Sequence, residues 1–241
     1  MTVTAFWNRK GGTGKTTTAG NTAAALARHG KTLLVDCDPQ ANLTAWLAPN
    51  AEHELADVLA GKMALRDAVT PIRDNLDVLG GFAIGGDLRA WVSTYIRQKP
   101  FAFIDLRDSA TEYQHVVFDL APGDGDIETY ALAAVNHVVL VAAPELFSFD
   151  GIEAAEYTLD QVRQNLRATF TVSGLVVNRV NRAYAAHEAI VLALNRTAYS
   201  IYTIGQSTAI HDAIRGNQTL AEYDPGNRYL AEYERLAVGL I

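Results

Sequence analysis

The run Arg9-Lys10-Gly11-Gly12-Thr13-Gly14-Lys15-Thr16-Thr17 is the part of this chain best equipped for chemistry. Glycines that tolerate positive φ let backbone N–H groups converge, and a polyphosphate needs such a nest. Lys15 adds a cation for the β and γ phosphates, and the Thr16 hydroxyl can ligate Mg²⁺. The apolar run Val3 to Trp7 precedes the loop, and a helical pattern through Thr18, Ala23, Leu26 and Ala27 follows it. A helix in that place points its free N–H groups and positive dipole end at the same phosphates. Gly11, Gly12, Thr13, Gly14, Lys15, Thr16 and Thr17 are therefore the expected phosphate contacts.

Three further places could complete such a site. Asp36-Cys37-Asp38-Pro39-Gln40 closes a second apolar run, and two acids at a strand end are costly without a cation nearby; the same residues would also serve as a plain turn. Val116-Val117-Phe118-Asp119 is an apolar strand ending in a carboxylate, the form of a Mg²⁺-binding Walker B element. Gly123 and Gly125 would let the loop beyond it move. Asn178 and Arg179 follow the run Ser173 to Val177; an amide offers both a donor and an acceptor to an adenine edge, and it also suits a turn. Cys37, between the two acids, reads as inert core.

These residues need a scaffold that brings strand ends together. Val3–Trp7, Thr32–Asp36, Leu76–Leu79, Val116–Asp119, Val138–Ala142, Ser173–Val177 and Tyr199–Ile204 read as strands, separated by helix-length stretches. Runs such as Val138-Val139-Leu140-Val141 are apolar without alternation, as in strands buried on both faces. The pattern predicts an α/β fold, a doubly wound and mostly parallel sheet with helices on both faces. Gly80, Gly81, Gly85 and Gly86 suggest a loop, and residues 1–241 read as one domain. Trp46, Trp91, Tyr199 and Tyr202 have the spacing of core residues.

No apolar run approaches the ~20 residues of a membrane span, and the first residues lack the form of a signal peptide, so a cytoplasmic location is expected. A single cysteine excludes a disulfide framework or an intrachain cysteine cluster. The formal net charge is −7, unevenly placed: residues 121–160 hold eight acids and no Lys or Arg, whereas residues 161–220 hold six Arg against Glu188 and Asp212. The basic stretch is either a polyanion patch or an accident of surface composition.

Arg9 stands where the general phosphate-loop pattern has glycine, and Lys10 lies directly before the double glycine. In this the chain resembles the deviant Walker A ATPases of the ParA/MinD superfamily, and ParA-type (Soj-like) partition ATPases most, over nearly its whole length. The resemblance implies a slow ATPase that uses ATP and Mg²⁺. It implies that Lys10 reaches a partner subunit's nucleotide in an ATP-dependent homodimer, and that Lys15 and Asp38 serve catalysis. Asp38 would orient the attacking water, with Thr16, Asp36 and Asp119 around the metal and Asn178 at the adenine. It further implies non-specific DNA binding by the dimer, nucleoid association, and a ParB-like or other stimulating adaptor protein.

The first strand begins near residue 1, so DNA contacts are expected from the ATPase body, with Arg179, Arg182, Arg196 and Arg215 as candidates. Gly205 and Gln206 replace the Pro-Arg common in relatives, and Ala209 stands where many carry a basic residue. Two other classes use the same loop. A MinD-like or other cargo-positioning ATPase would need a basic amphipathic tail at the membrane, but Arg228 and Arg235 are balanced by Glu232 and Glu234, so a packed final helix and no membrane partner are expected. A metabolic phosphoryl-transfer enzyme would leave Lys10 without purpose.

Overall fold

Val3, Ala5 and Trp7 join one apolar core while Phe6 joins another, and Leu33 and Val35 are likewise separated from Leu34. Each such strand therefore sits inside a sheet covered on both sides. The structure, a computed structural model, describes residues 1–145 and 148–241, without the side chains of Ser148 and Phe149. Its first half runs β1 (Thr2–Trp7), α1 (Lys15–Leu26), β2 (Thr32–Asp36), α2 (Asn42–Leu47), α3 (Leu55–Ala60), α4 (Leu65–Ala68), β3 (Thr70–Arg73), β4 (Leu76–Leu79), α5 (Leu88–Tyr95) and α6 (Ala102–Ser109). The second half runs β5 (His115–Asp119), α7 (Asp126–Ala133), β6 (His137–Ala142), α8 (Ser148–Leu166), β7 (Thr171–Val180), α9 (Ala185–Leu194), β8 (Ile201–Gly205), α10 (Thr208–Arg215), α11 (Leu220–Tyr223) and α12 (Leu230–Val238).

All eight strands form one sheet in the order β3-β4-β2-β5-β1-β6-β7-β8. Every pairing is parallel except β3 with β4. One core lies under α3, α5, α6, α7 and α8, the other under α1, α2, α10, α11 and α12. The α/β doubly wound expectation holds, and all seven expected strands form. β3 escaped the sequence reading because it is four residues long and contains Pro71, which an edge strand tolerates and a central one does not. Trp46, Trp91 and Tyr202 are buried as expected, and Tyr199 is half-buried with its hydroxyl on Glu156.

The opposite edge, β8, is closed by side chains. Arg235 Nη2 donates to the Ile201 carbonyl at 2.6 Å, and the Thr203 N–H donates to Glu232 Oε2 at 3.2 Å. Arg235 and Glu232 also pair with each other at 2.8 Å. The final helix, expected to pack and not to anchor, buries Tyr233, Leu236 and Ala237 in the second core while capping groups that would otherwise recruit a foreign strand. No described helix is long and apolar enough to cross a membrane.

Phe118 sits fully buried at the centre of the sheet with its ring 6.2 Å from that of Phe103. Phe118→Ala should lose about 3–5 kcal/mol of unfolding free energy in urea titrations, because the strand cannot collapse into the space. A loss below about 1 kcal/mol would show that this part of the core is loosely packed.

Candidate functional site

The loop between β1 and α1 is built as its glycines require. Gly12 and Gly14 take φ of 72° and 92°, and a Cβ on Gly14 would fall 1.9 Å from Asn178 Nδ2. Two amides brace the loop, one near each of its ends. Asn8 donates from Nδ2 to the Val141 carbonyl at 2.9 Å and accepts the Lys10 N–H at 3.1 Å. Asn178 donates from Nδ2 to the Thr13 carbonyl at 2.9 Å, and its Oδ1 accepts the Arg179 N–H at 2.9 Å.

Lys15 opens α1 and is nearly buried, with Nζ donating to the Lys10 carbonyl at 3.0 Å. Burial lowers its pKa, opposed by the charges of Asp119, Asp38 and Glu128. Asp119, at the end of β5, is fully buried, and neither carboxylate oxygen meets a hydrogen-bond donor among the described residues. Burial first and the Asp36 charge second push this carboxyl well up, while the nearby Thr16 hydroxyl, short of a full hydrogen bond, and Lys15 pull the other way. A buried acid with both oxygens open, beside a threonine hydroxyl, fits a divalent cation. No group of three or more potential metal ligands occurs among the described residues, so phosphate and water oxygens would have to complete the shell, as Mg²⁺ favours.

Asp36 and Asp38 differ in surroundings. Asp36 Oδ2 accepts from the Thr44 N–H at 2.8 Å and the Thr44 hydroxyl at 2.6 Å, and Oδ1 from the Asp38 N–H at 3.2 Å. Its oxygens are thus engaged in holding the start of α2 and the turn that carries Asp38. Asp38 accepts the Gln40 N–H at 2.8 Å and lines a cavity of about 560 Å³ together with Gly14, Lys15, Thr16, Thr17 and Arg179. A second chamber of about 230 Å³ adjoins it beyond Gly14 and Thr17, lined by Asn178, Gln206, Ser207 and Ile210 among others.

Residues 1–172 match the family model described as an AAA domain. The chromosome-partitioning ATPase Soj of Thermus thermophilus is 31% identical over 240 residues, covering 97% of this chain and 92% of its own. The chain belongs to the ParA family. The same fold occurs in a plasmid partition protein of Borrelia burgdorferi B31 bound to AMPPNP, with TM-score 0.85, 18% identity, and 99% and 97% of the two chains covered. It also occurs in the septum site-determining protein MinD of Pyrococcus horikoshii OT3 complexed with Mg-ADP, with TM-score 0.79, 23% identity, and 98% and 94% covered.

In this ParA-family chain Lys10 is half-exposed and its ammonium pairs with Glu145 of the same chain. The loop after β5 is tied to the phosphate loop: the Trp7 indole N–H donates to the Gly123 carbonyl at 3.0 Å, and Arg9 pairs with Asp124 at 2.7 Å. The departure at Gly205 has a packing reason, since a Cβ there would meet the Tyr229 hydroxyl at 1.8 Å. Of the four candidate arginines, only Arg179 lines the cavity, held at φ 62°, while Arg182 lies in a groove between α9 and β8, Arg196 follows α9 and Arg215 ends α10. All four are exposed and form no ion pair among the described residues.

Two residues of the site escaped the sequence reading. Asn8 is a lone amide with no motif around it. Glu128 is a buried acid in the first turn of α7, whose carboxylate bonds the Gly125 backbone and adds its charge to the field on Lys15. An acid three residues after Gly125 was the available signal.

Burial is the largest cause that raises the Asp36 carboxyl from 3.8 to about 6. The folded protein holds this proton more tightly than the unfolded chain, so its contribution to stability is complete below about pH 4 and is lost as pH rises through about 6. Unfolding free energy measured against Asp36→Asn should therefore fall by about 3 kcal/mol over that window. A flat difference would mean that folding leaves the Asp36 pKa unchanged.

Proposed function

We propose that this chain is a switch ATPase, one ATPase domain over residues 1–241, that closes as a homodimer on ATP and binds DNA without sequence preference. The observation that carries the reading is the buried, unpartnered carboxylate of Asp119 beside Thr16 and Lys15, under a loop of converging N–H groups. Gly11 to Thr17 would cradle the triphosphate of ATP, and Thr16 and Asp119 would hold Mg²⁺. Asp38 would orient the water that attacks the γ phosphate, and Asp36, with its oxygens engaged, would act by placing Asp38. The metal would supply charge neutralisation on the β and γ oxygens. The adenine would enter the chamber beside Asn178, whose present bonds make it first of all a brace for Thr13.

Lys10 would exchange Glu145 for phosphate oxygens of the neighbouring subunit. Hydrolysis would be slow alone and faster with a ParB-like or other adaptor. The four unpaired arginines would take DNA phosphates, in keeping with a cytoplasmic, nucleoid-associated protein serving plasmid or chromosome partition. A membrane role has less support, because the apolar face of α12 is packed in the second core.

Lys15→Ala should abolish ATP binding, while Lys10→Ala and Asp38→Ala should bind ATP yet lose at least about 10²-fold of stimulated turnover. Unimpaired stimulated turnover in these variants would end this assignment. DNA retention with ATP should weaken as salt rises, and each of Arg179→Ala, Arg182→Ala, Arg196→Ala and Arg215→Ala should flatten the log–log salt slope by about 1. Unchanged slopes would place the DNA surface elsewhere.

A further inference from the structure

Helix α9, Ala185–Leu194, is apolar on two sides. Ile190, Val191 and Leu194 turn towards the first core, and of the helix only Leu194 is fully buried. A second stripe, Ala185, Ala189 and Leu192, recurs at i, i+4 and i+7 and faces solvent, with Leu192 64% exposed. Tyr184, which precedes the helix, is 58% exposed and stacks edge-on against His187 at 5.3 Å. Apolar residues on a helix normally face a core, so the outer stripe marks a face that lacks a partner.

Beside it runs a groove of about 270 Å³ between α9 and β8, lined by Val180, Arg182, Glu188, Val191, Leu192 and Thr203. The groove and its neighbour form a matched set: a projecting leucine next to an apolar slot, and one arginine with one glutamate on the same rim. We propose that this face binds a second copy of the chain, through an isologous contact separate from the nucleotide-bearing face. A two-fold axis near the first turn of α9 brings Leu192 of each copy to the slot at Val180 and Thr203 of the other. The same operation sets Arg182 of each copy against Glu188 of the other, and a two-fold makes that pairing twice. Ala185 and Ala189, at the centre, let the helices approach closely.

DNA would meet Leu192 and Tyr184 with nothing apolar and would be repelled by Glu188. Ten residues of helix span only about 15 Å, so the contact is small and its dissociation constant is expected in the micromolar range.

Sedimentation equilibrium of the full chain without nucleotide, up to about 200 µM, tests this. A reversible dimer is expected, weakened at least tenfold by Leu192→Glu and by Arg182→Glu, and regained in Arg182→Glu combined with Glu188→Arg. Both substituted positions of the single variants are exposed, and circular dichroism would confirm that each still folds. Lys15→Ala should leave this dimer intact, which keeps it distinct from association driven by ATP. Sedimentation without DNA or nucleotide reads this contact alone, so recovery of the dimer in the double variant separates it from the use of Arg182 on DNA. A chain monomeric across the range, a dimer indifferent to Leu192→Glu, or no recovery in the double variant would overturn the proposal.

Discussion

A loop that holds glycines at positive φ and turns its N–H groups inward cannot keep that shape unaided, because the glycines that allow the conformation also allow many others. Here the shape is imposed from outside by two amide side chains. Asn8 fastens the loop's first half to β6 through the Val141 carbonyl, and Asn178 fastens its second half to β7 through the Thr13 carbonyl. The anion site therefore exists only while β1, β6 and β7 lie side by side, as the sheet order arranges. Local chemistry and global topology are one constraint at this point.

The same constraint organises the charges. Asp38, Asp119 and Glu128 all act on a single buried lysine, Lys15, and Asp36 adds its charge to that at Asp119. Such a cluster is unfavourable unless each acid has a distinct accommodation. Asp36 takes donors from Thr44 and from the Asp38 backbone, Asp38 takes the Gln40 N–H, and Glu128 takes the Gly125 backbone. Asp119 alone takes none in the described structure. The surplus of buried negative charge and the open carboxylate occur at the same atom, which is where an added divalent cation relieves most electrostatic cost.

Much of this was legible in the residues. The run Arg9 to Thr17 announced a phosphate loop because glycine spacing is a backbone requirement, although what holds the loop in shape lies elsewhere, and apolar runs without alternation announced buried parallel strands. Residues that act through tertiary contact were harder to read. Asn178 was recognisable as polar at a strand end, yet its use as a brace for Thr13 depends on how close β7 comes to the loop. Asn8 belongs to no spacing pattern, Glu128 had only its place three residues after Gly125 to mark it, and β3 is held by its neighbour β4 and not by its own propensity. Gly205 stands in place of a proline because the Tyr229 hydroxyl, 24 residues further on, fills the room a Cβ would need.

The surface is partitioned by the same logic of satisfied and unsatisfied groups. The β8 edge offers Ile201 and Thr203, and α12 answers with Arg235 and Glu232, so that edge cannot extend the sheet. Lys10 is countered by Glu145 within its own chain, which stores its charge on the surface without leaving it unpaired. Arg179, Arg182, Arg196 and Arg215 have no such answer among the described acids, although the chain as a whole carries an excess of acids. A protein of net charge −7 that leaves these four guanidinium groups uncompensated has segregated its charge, gathering acids around Lys15 and elsewhere on the surface while these cations stand open.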